Sequence, residues 1–124
     1  MKLVLLESPY AASTPPGIER HVAYARLCLL DCLQKGEAPM ASHLLYTQVL
    51  DDLDPQQREL GILAGLAWGR ACGLAVFYMD FGMSNGMKAA EQTHKDNGTQ
   101  CEYRVLDENI LEALHDAFPD ISGH

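Results

Sequence analysis

No stretch of the sequence approaches the roughly 20 consecutive apolar residues that a membrane-crossing helix needs, so no membrane partner is expected. The opening apolar run, residues 1–6, meets Glu7 and Pro9 at once and is too short for a secretory signal, so a cytoplasmic location is expected. Basic side chains are scarce: 9 Lys and Arg stand against 17 Asp and Glu, giving a net charge of −8. Affinity for duplex nucleic acid rests on cations that neutralise phosphates, and this balance speaks against such a partner. A small anion is a different matter, because free N–H groups at a helix start hold one phosphate locally. The four cysteines form no CxxC pair. Cys28 and Cys32 lie one turn apart on one helix face, and with Cys72 and Cys101 they read as small core residues in a reducing compartment. His21, His43, His94, His115 and His124 make neither an HxH nor an HExxH pattern, so neither a metal nor another cofactor is expected.

What remains is a chain of 124 residues, 48% of them hydrophobic, enough for one domain around one core. Residues 2–6, apolar after Lys2, read as a buried strand. Residues 11–17 carry every breaker signal and read as a loop, whose Pro-Pro-Gly suits a moving cover. From 18 to 35 the positions Val22, Ala25, Leu29, Cys32 and Leu33 recur at helical spacing, and Gly36 is a natural stop. Residues 37–43 are a second strand candidate, with Pro39 suited to an early position. Asp54, Pro55 and Gln57 open a helix as N-cap, N1 and N3, and it runs to about 72. Gly61, Gly65 and Gly69 lie along one stripe of it, and each weakens a helix by about 1 kcal/mol relative to alanine. Close packing against a sheet or a second subunit is the expected compensation. Trp68 reads as core. Residues 73–79 form the clearest strand, Ser84 caps a helix over 85–97, 101–106 alternate as a further strand, and Asp107 caps a last helix to about 117. Strand and helix alternate throughout, which predicts an α/β fold with a parallel sheet covered on both faces.

In such a sheet, ligands bind outside the carboxyl ends of the strands. Three segments fall there: Glu7-Ser8-Pro9-Tyr10; Ser42 and His43 through Tyr46 and Gln48 to Asp51 and Asp52; and Asp80 through Gly82 and Ser84 to Asn85, Gly86 and Met87. The last places a hydroxyl and free N–H groups at the positive end of a helix, suited to a phosphate or carboxylate, or simply a serine N-cap. Glu7 ends a buried strand, and a carboxylate there needs a partner. His43, beside Tyr46, is either an acid/base and ligand contact or a packed histidine. Glu91 sits about two turns into its helix, on what reads as a solvated face.

Taken together, Leu5-Leu6-Glu7-Ser8-Pro9-Tyr10-Ala11, the long helix to Gly36, Ala41-Ser42-His43, and Asp80-x-Gly82-x-Ser84-x-Gly86-Met87 resemble the nucleoside 2-deoxyribosyltransferase-like superfamily, over roughly residues 2–105. The resemblance is closest to its small members encoded largely by phages and prophages. It implies a three-layer α/β/α domain with a small, four- or five-stranded, mostly parallel sheet of flavodoxin or Rossmann type. It also implies a homo-dimer or higher homo-oligomer with sites near subunit interfaces, and for a phage protein the host cytoplasm.

The known enzymes of that superfamily cleave or exchange the N-glycosidic bond of deoxynucleosides or deoxynucleotides, with a glutamate attacking the anomeric carbon. The transferase pattern, Asp-x-Gly-Thr-x-x-Glu, laid on Asp80 and Gly82, puts that glutamate at Gly86. The hydrolase pattern, Ser-x-Gly-x-Gly-x-Glu, laid on Ser84 and Gly86, puts it at Ala90, one residue short of Glu91. One residue turns a helical side chain by about 100°.

The resemblance therefore implies a nucleoside or nucleotide ligand, with Ser84 and the Gly86 amide on phosphate, and Tyr10 and Asp80 orienting the sugar. It leaves Glu91 or Glu7 as nucleophile or base, and His43 as base contact or acid. Ser8, Ser42, Tyr46, Gln48, Gly82, Asn85 and Met87 complete the expected lining. A sequestering protein without chemistry, and an oligomeric interaction protein with a vestigial pocket, are the alternatives.

Overall fold

The computed structural model describes residues 1–119, so His124 lies outside the described residues. Four strands, β1 (Lys2–Glu7), β2 (Glu37–Met40), β3 (Leu74–Tyr78) and β4 (Gln100–Arg104), form one sheet in the order β2-β1-β3-β4. Every pairing is parallel. The connections carry α1 (Pro15–Gln34), α2 (Ser42–Leu45) with a 3-10 turn at Tyr46–Gln48, α3 (Pro55–Cys72), α4 (Asn85–Asp96) and α5 (Glu108–Ala117). Helix α1 packs with α5, and α3 with α4. The result is a three-layer α/β/α domain of Rossmann-like type.

The period of two along the strands separates two cores. Val4, Leu6, Leu74, Val76 and Tyr78 pack with Tyr24, Cys28 and Cys32 of α1 and Leu114 of α5. Ala75 and Phe77 turn to the other face and meet Met87 of α4. Cys28 and Cys32 are buried free thiols. The chain steps from β1 out to β2, then returns across β1 to β3. The order thus reverses between β1 and β3, and their carboxyl ends open on a crevice.

Three local expectations are corrected. Helix α1 begins at Pro15 instead of Ile18: Thr14 is its N-cap, with Oγ1 accepting from the Gly17 N–H at 3.2 Å. Two prolines fit there because a first turn needs neither their missing N–H groups nor a different φ. Residues 15–17 are therefore helix, and any cover over the cleft would be confined to residues 8–14. Strand β2 stops at Met40, and His43 sits in a short helix instead of at a strand end. Trp68 is 39% exposed, and its Nε1 donates to the Tyr46 hydroxyl at 2.8 Å. Pro39 pairs with Val4 on an edge strand, where a missing donor is tolerated.

Arg104 ties β4 to β2 beneath α1, with Nη1 and Nη2 each donating to a Glu37 carboxylate oxygen at 2.6 Å. That fork holds Glu37 below the usual carboxylate range, against the opposing effect of burial. The Tyr78 hydroxyl donates to Asp31 at 2.5 Å in the same network.

The glycine stripe of α3 is used inside the chain. A Cβ on Gly65 would lie 2.6 Å from Ser42 Oγ, and one on Gly69 would lie 2.4 Å from the His94 ring. A Cβ on Gly61 would meet only Leu50 Cδ1, at an ordinary 3.4 Å. The two ends of the stripe should therefore respond with opposite signs in chemical denaturation. Gly61→Ala is expected to stabilise by up to about 1 kcal/mol through helix propensity. Gly69→Ala is expected to destabilise by about 1–3 kcal/mol, because the buried ring must move.

Candidate functional site

A cleft of about 600 Å³ opens at the carboxyl ends of β1 and β3, the size range of small-molecule sites. Its floor is Glu7 and Ser8, where β1 ends. One wall is Ser42, His43, Tyr46 and Thr47 from α2 and the turn after it; the other is the start of α4, from Ser84 to Met87. Helix α3 closes the back with Gly61, Ile62, Gly65 and Leu66, and brings Gln57 and Arg58 to the rim.

The start of α4 is built as the sequence suggested. Ser84 is the N-cap, and its Oγ accepts from the Met87 N–H at 3.1 Å. The Asn85 and Gly86 amides lie in the first turn, where no intrahelical acceptor exists. Arg58 Nη2 would be 3.8 Å from a Cβ on Gly86, so a guanidinium stands beside those amides. Its Nε is also 3.8 Å from Asp52 Oδ1. Helix dipole, amides and guanidinium would all favour negative charge placed there.

Glu7 is the carboxyl of the cleft floor. No described residue hydrogen-bonds it, and its nearest ionisable neighbour is His94 Nε2, 4.0 Å from Oε2. Burial without compensation pushes its pKa up to about 7. Ser8 Oγ and His43 Nε2 share a hydrogen bond of 2.7 Å. Burial, with the nearby His21, pulls His43 down to about 4, so the imidazole is neutral at pH 7. A group that titrates near neutrality beside a neutral histidine and a helix start with free amides is equipped for acid/base or nucleophilic work.

Of the residues expected from sequence, Glu7, Ser8, Tyr10, Ser42, His43, Tyr46, Ser84, Asn85, Gly86 and Met87 all line this one cleft. Four lie elsewhere. Glu91 accepts from the Tyr103 hydroxyl and pairs with Lys95 Nζ at 3.6 Å, while Ala90, one position earlier, faces the cleft. Asp80 is held by Tyr24 Oη at 2.6 Å and by the Leu106 N–H, tying β3 to α1 and to the chain after β4. Gly82 forms the turn after β3 with φ +73, and Gln48 Nε2 donates back to the Leu44 carbonyl at 3.2 Å.

Arg58, Gln57, Thr93 and His94 are lining residues that sequence reasoning missed. Arg58 did leave a signal: a basic residue in the first turn of a helix opposes the macrodipole. His94 left another, lying on one stripe with Met87 and Ala90. Among the described residues, no group of three or more His, Cys, Asp or Glu side chains is placed to hold a metal ion, and no helix is long and apolar enough to cross a membrane.

Residues 2–104 match the family described as a domain of unknown function, DUF7768, and the chain belongs to that family. No curated protein and no solved structure matches it.

The titrations of the cleft oppose one another. Glu7 binds its proton more tightly folded than unfolded, so its contribution to stability is full below pH 4.5 and is lost as pH rises to about 7. His43 binds its proton less tightly when folded, so its contribution rises between about pH 4 and 6.5. Removing Glu7 should leave only the rising limb. Urea denaturation of Glu7→Gln is expected to show a gain over the wild type that grows by up to about 3 kcal/mol between mildly acid and mildly alkaline pH. A difference independent of pH would contradict the assignment.

Proposed function

We propose that this DUF7768-family chain binds a nucleoside or nucleotide in the cleft and acts on its N-glycosidic bond, in the manner of the nucleoside 2-deoxyribosyltransferase-like superfamily. The observation that carries this reading is the pairing, across one cleft, of an unbonded strand-end carboxyl at Glu7 with an anion-binding turn at Ser84–Gly86. Phosphate is held by the Asn85 and Gly86 amides with Arg58. The sugar lies over Glu7, and the base reaches towards His43, Tyr46 and Tyr10.

Glu7 takes the nucleophile's part, since it faces the cleft and Glu91 does not. Its carboxylate bonds to the anomeric carbon as the carbon–nitrogen bond breaks, and the base departs with a proton from water. Water then hydrolyses the glycosyl ester, restoring the carboxylate and releasing the sugar. Only the ionised fraction of Glu7 reacts, so the rate should rise through about pH 7.

The outer side of α3 supports the homo-oligomer that the resemblance implies. Leu60 and Leu63, away from the buried Gly65 and Gly69, are 58% and 55% exposed, and Leu45, Val49 and Leu53 of the preceding segment are exposed as well. We assign this face to a second copy of the chain, which would close the rim of the cleft near Arg58. Light scattering is expected to find a dimer or larger assembly, and Leu60→Asp with Leu63→Asp to release monomers. A monomeric wild type would remove this part of the reading.

The direct assay incubates the protein with mixed ribo- and deoxynucleosides and their monophosphates, with mass spectrometry reading free bases and retained compounds. Base release is expected, lowered at least about 100-fold in Glu7→Gln with ligand still retained. Arg58→Ala should weaken monophosphate binding about 10-fold while sparing nucleosides. Retention without release would identify a sequestering protein, and no retention would leave the pocket without this ligand class.

A further inference from the structure

His94 is placed at a cost to the fold. None of its surface is exposed, and neither ring nitrogen has a hydrogen-bond partner among the described residues. A neutral imidazole always carries one N–H, so a buried donor is left unsatisfied, which opposes folding. The ring occupies the space where a Cβ on Gly69 would stand, so α3 also gives up helix propensity there. Its flank is the edge of Phe77, and the ionisable group it approaches is Glu7.

We propose that Glu7 and His94 form one proton-sharing pair, in which His94 is a positioning residue that draws the cleft carboxyl into its ionised form and fixes its orientation. The inference rests on the reading of Glu7 as the reacting carboxyl. The transfer is simple: the Glu7 O–H bond breaks, an N–H bond forms at His94 Nε2, and carboxylate and imidazolium replace two neutral groups. Net charge does not change, so no lone charge is left in the interior.

At 4.0 Å the two atoms are not bonded, and a carboxyl shift of about 1 Å reaches charge-assisted distance. Burial raises the proton affinity of Glu7 and lowers that of His94, which removes the advantage an imidazole ordinarily holds over a carboxyl in binding a proton and couples the two sites. The surroundings add little competing charge. Gly65 and Gly69 of α3 carry none; β4 presents the Cys101 thiol, whose burial keeps it protonated; and α2 presents His43, held neutral. On α4 itself, Lys95 pairs with Glu91 beside Tyr103.

Nuclear magnetic resonance of the full, ligand-free chain tests the pair. The ring nitrogens of His94 and the carboxyl carbon of Glu7 would be followed across about pH 4 to 9 in the wild type, Glu7→Gln and His94→Gln. Both groups are expected to respond at the same two midpoints, and Glu7→Gln to lower the His94 midpoint by about one pH unit or more. Glu7→Gln keeps a neutral isostere and leaves the His94 packing intact, so it decides the matter even if His94→Gln fails to fold. An unchanged His94 titration in Glu7→Gln would overturn the pair. Because no substrate is used, coupled titration upholds the pair whether or not any base is released, and base release with uncoupled titration overturns the pair alone.

Discussion

The close approach of α3 to its neighbours sets the shape of the cleft. At Gly65 the helix backbone lies so near Ser42 that a Cβ would overlap its hydroxyl, and at Gly69 the same holds for the His94 ring. Side chains there would push α3 outward, widen the gap to α2 and α4, and carry Arg58 away from Gly86. Glycine weakens a helix of this length, so the helix is fastened at both ends. Asp54 caps it and bonds Gln57, while Gly73, with φ +74, turns the chain directly into β3. Helix stability and cleft geometry therefore rest on the same residues.

The polar groups set against the sheet divide into two kinds. Asp80, Glu37 and Asp31 are fully engaged by Tyr24, Arg104, Tyr78 and Lys35, and their work is to hold layers and sheet edges together. Among the described residues, Glu7 and His94 have no such partners, and Ser8 Oγ is bonded to His43. Buried polar groups left unmatched oppose folding, and His94 brings two such nitrogens beside Glu7 at the end of β1. Asp80, Glu37 and Asp31 are satisfied while Glu7 accepts no hydrogen bond from a described residue, and that contrast singles out Glu7 more sharply than its position on the sheet does.

Much of this was legible in the sequence because it depends on local rules. The apolar runs, the caps at Asp54, Ser84 and Asp107, and the glycine stops located nearly every element, and alternation gave the parallel sheet. Ten of the fourteen residues expected at the site line the cleft, since all come from chain segments that must lie at carboxyl strand ends. What was not legible is tertiary. The start of α1 at Pro15 follows a cap at Thr14 hidden among breakers, and the turn of residues 42–48 into a helix depends on where β2 must stop beside β1. Asp80 could not be told from a ligand contact until Tyr24 and Leu106 were seen to occupy it. His94 reads as an ordinary helix residue until Gly69 is seen to make room for it.

A carboxyl at a strand end is held differently from one on a helix. On α4, Gly86 and Ala90 face the cleft without a functional group. Glu91 is turned away by one residue of helical phase and is engaged by Tyr103 and Lys95, so reaching the cleft would require rewinding α4 from its cap. A carboxyl on β1 is placed differently. Glu7 is the last residue of β1, registered opposite Phe77 of β3 two residues beyond the end of the pairing with β2, so the β3 ladder holds its backbone and its side-chain torsions remain free. A group so anchored needs one further contact to fix its orientation, and His94 is the side chain within reach. The small side chains at Gly86 and Ala90 then leave open the space through which a ligand would approach Glu7.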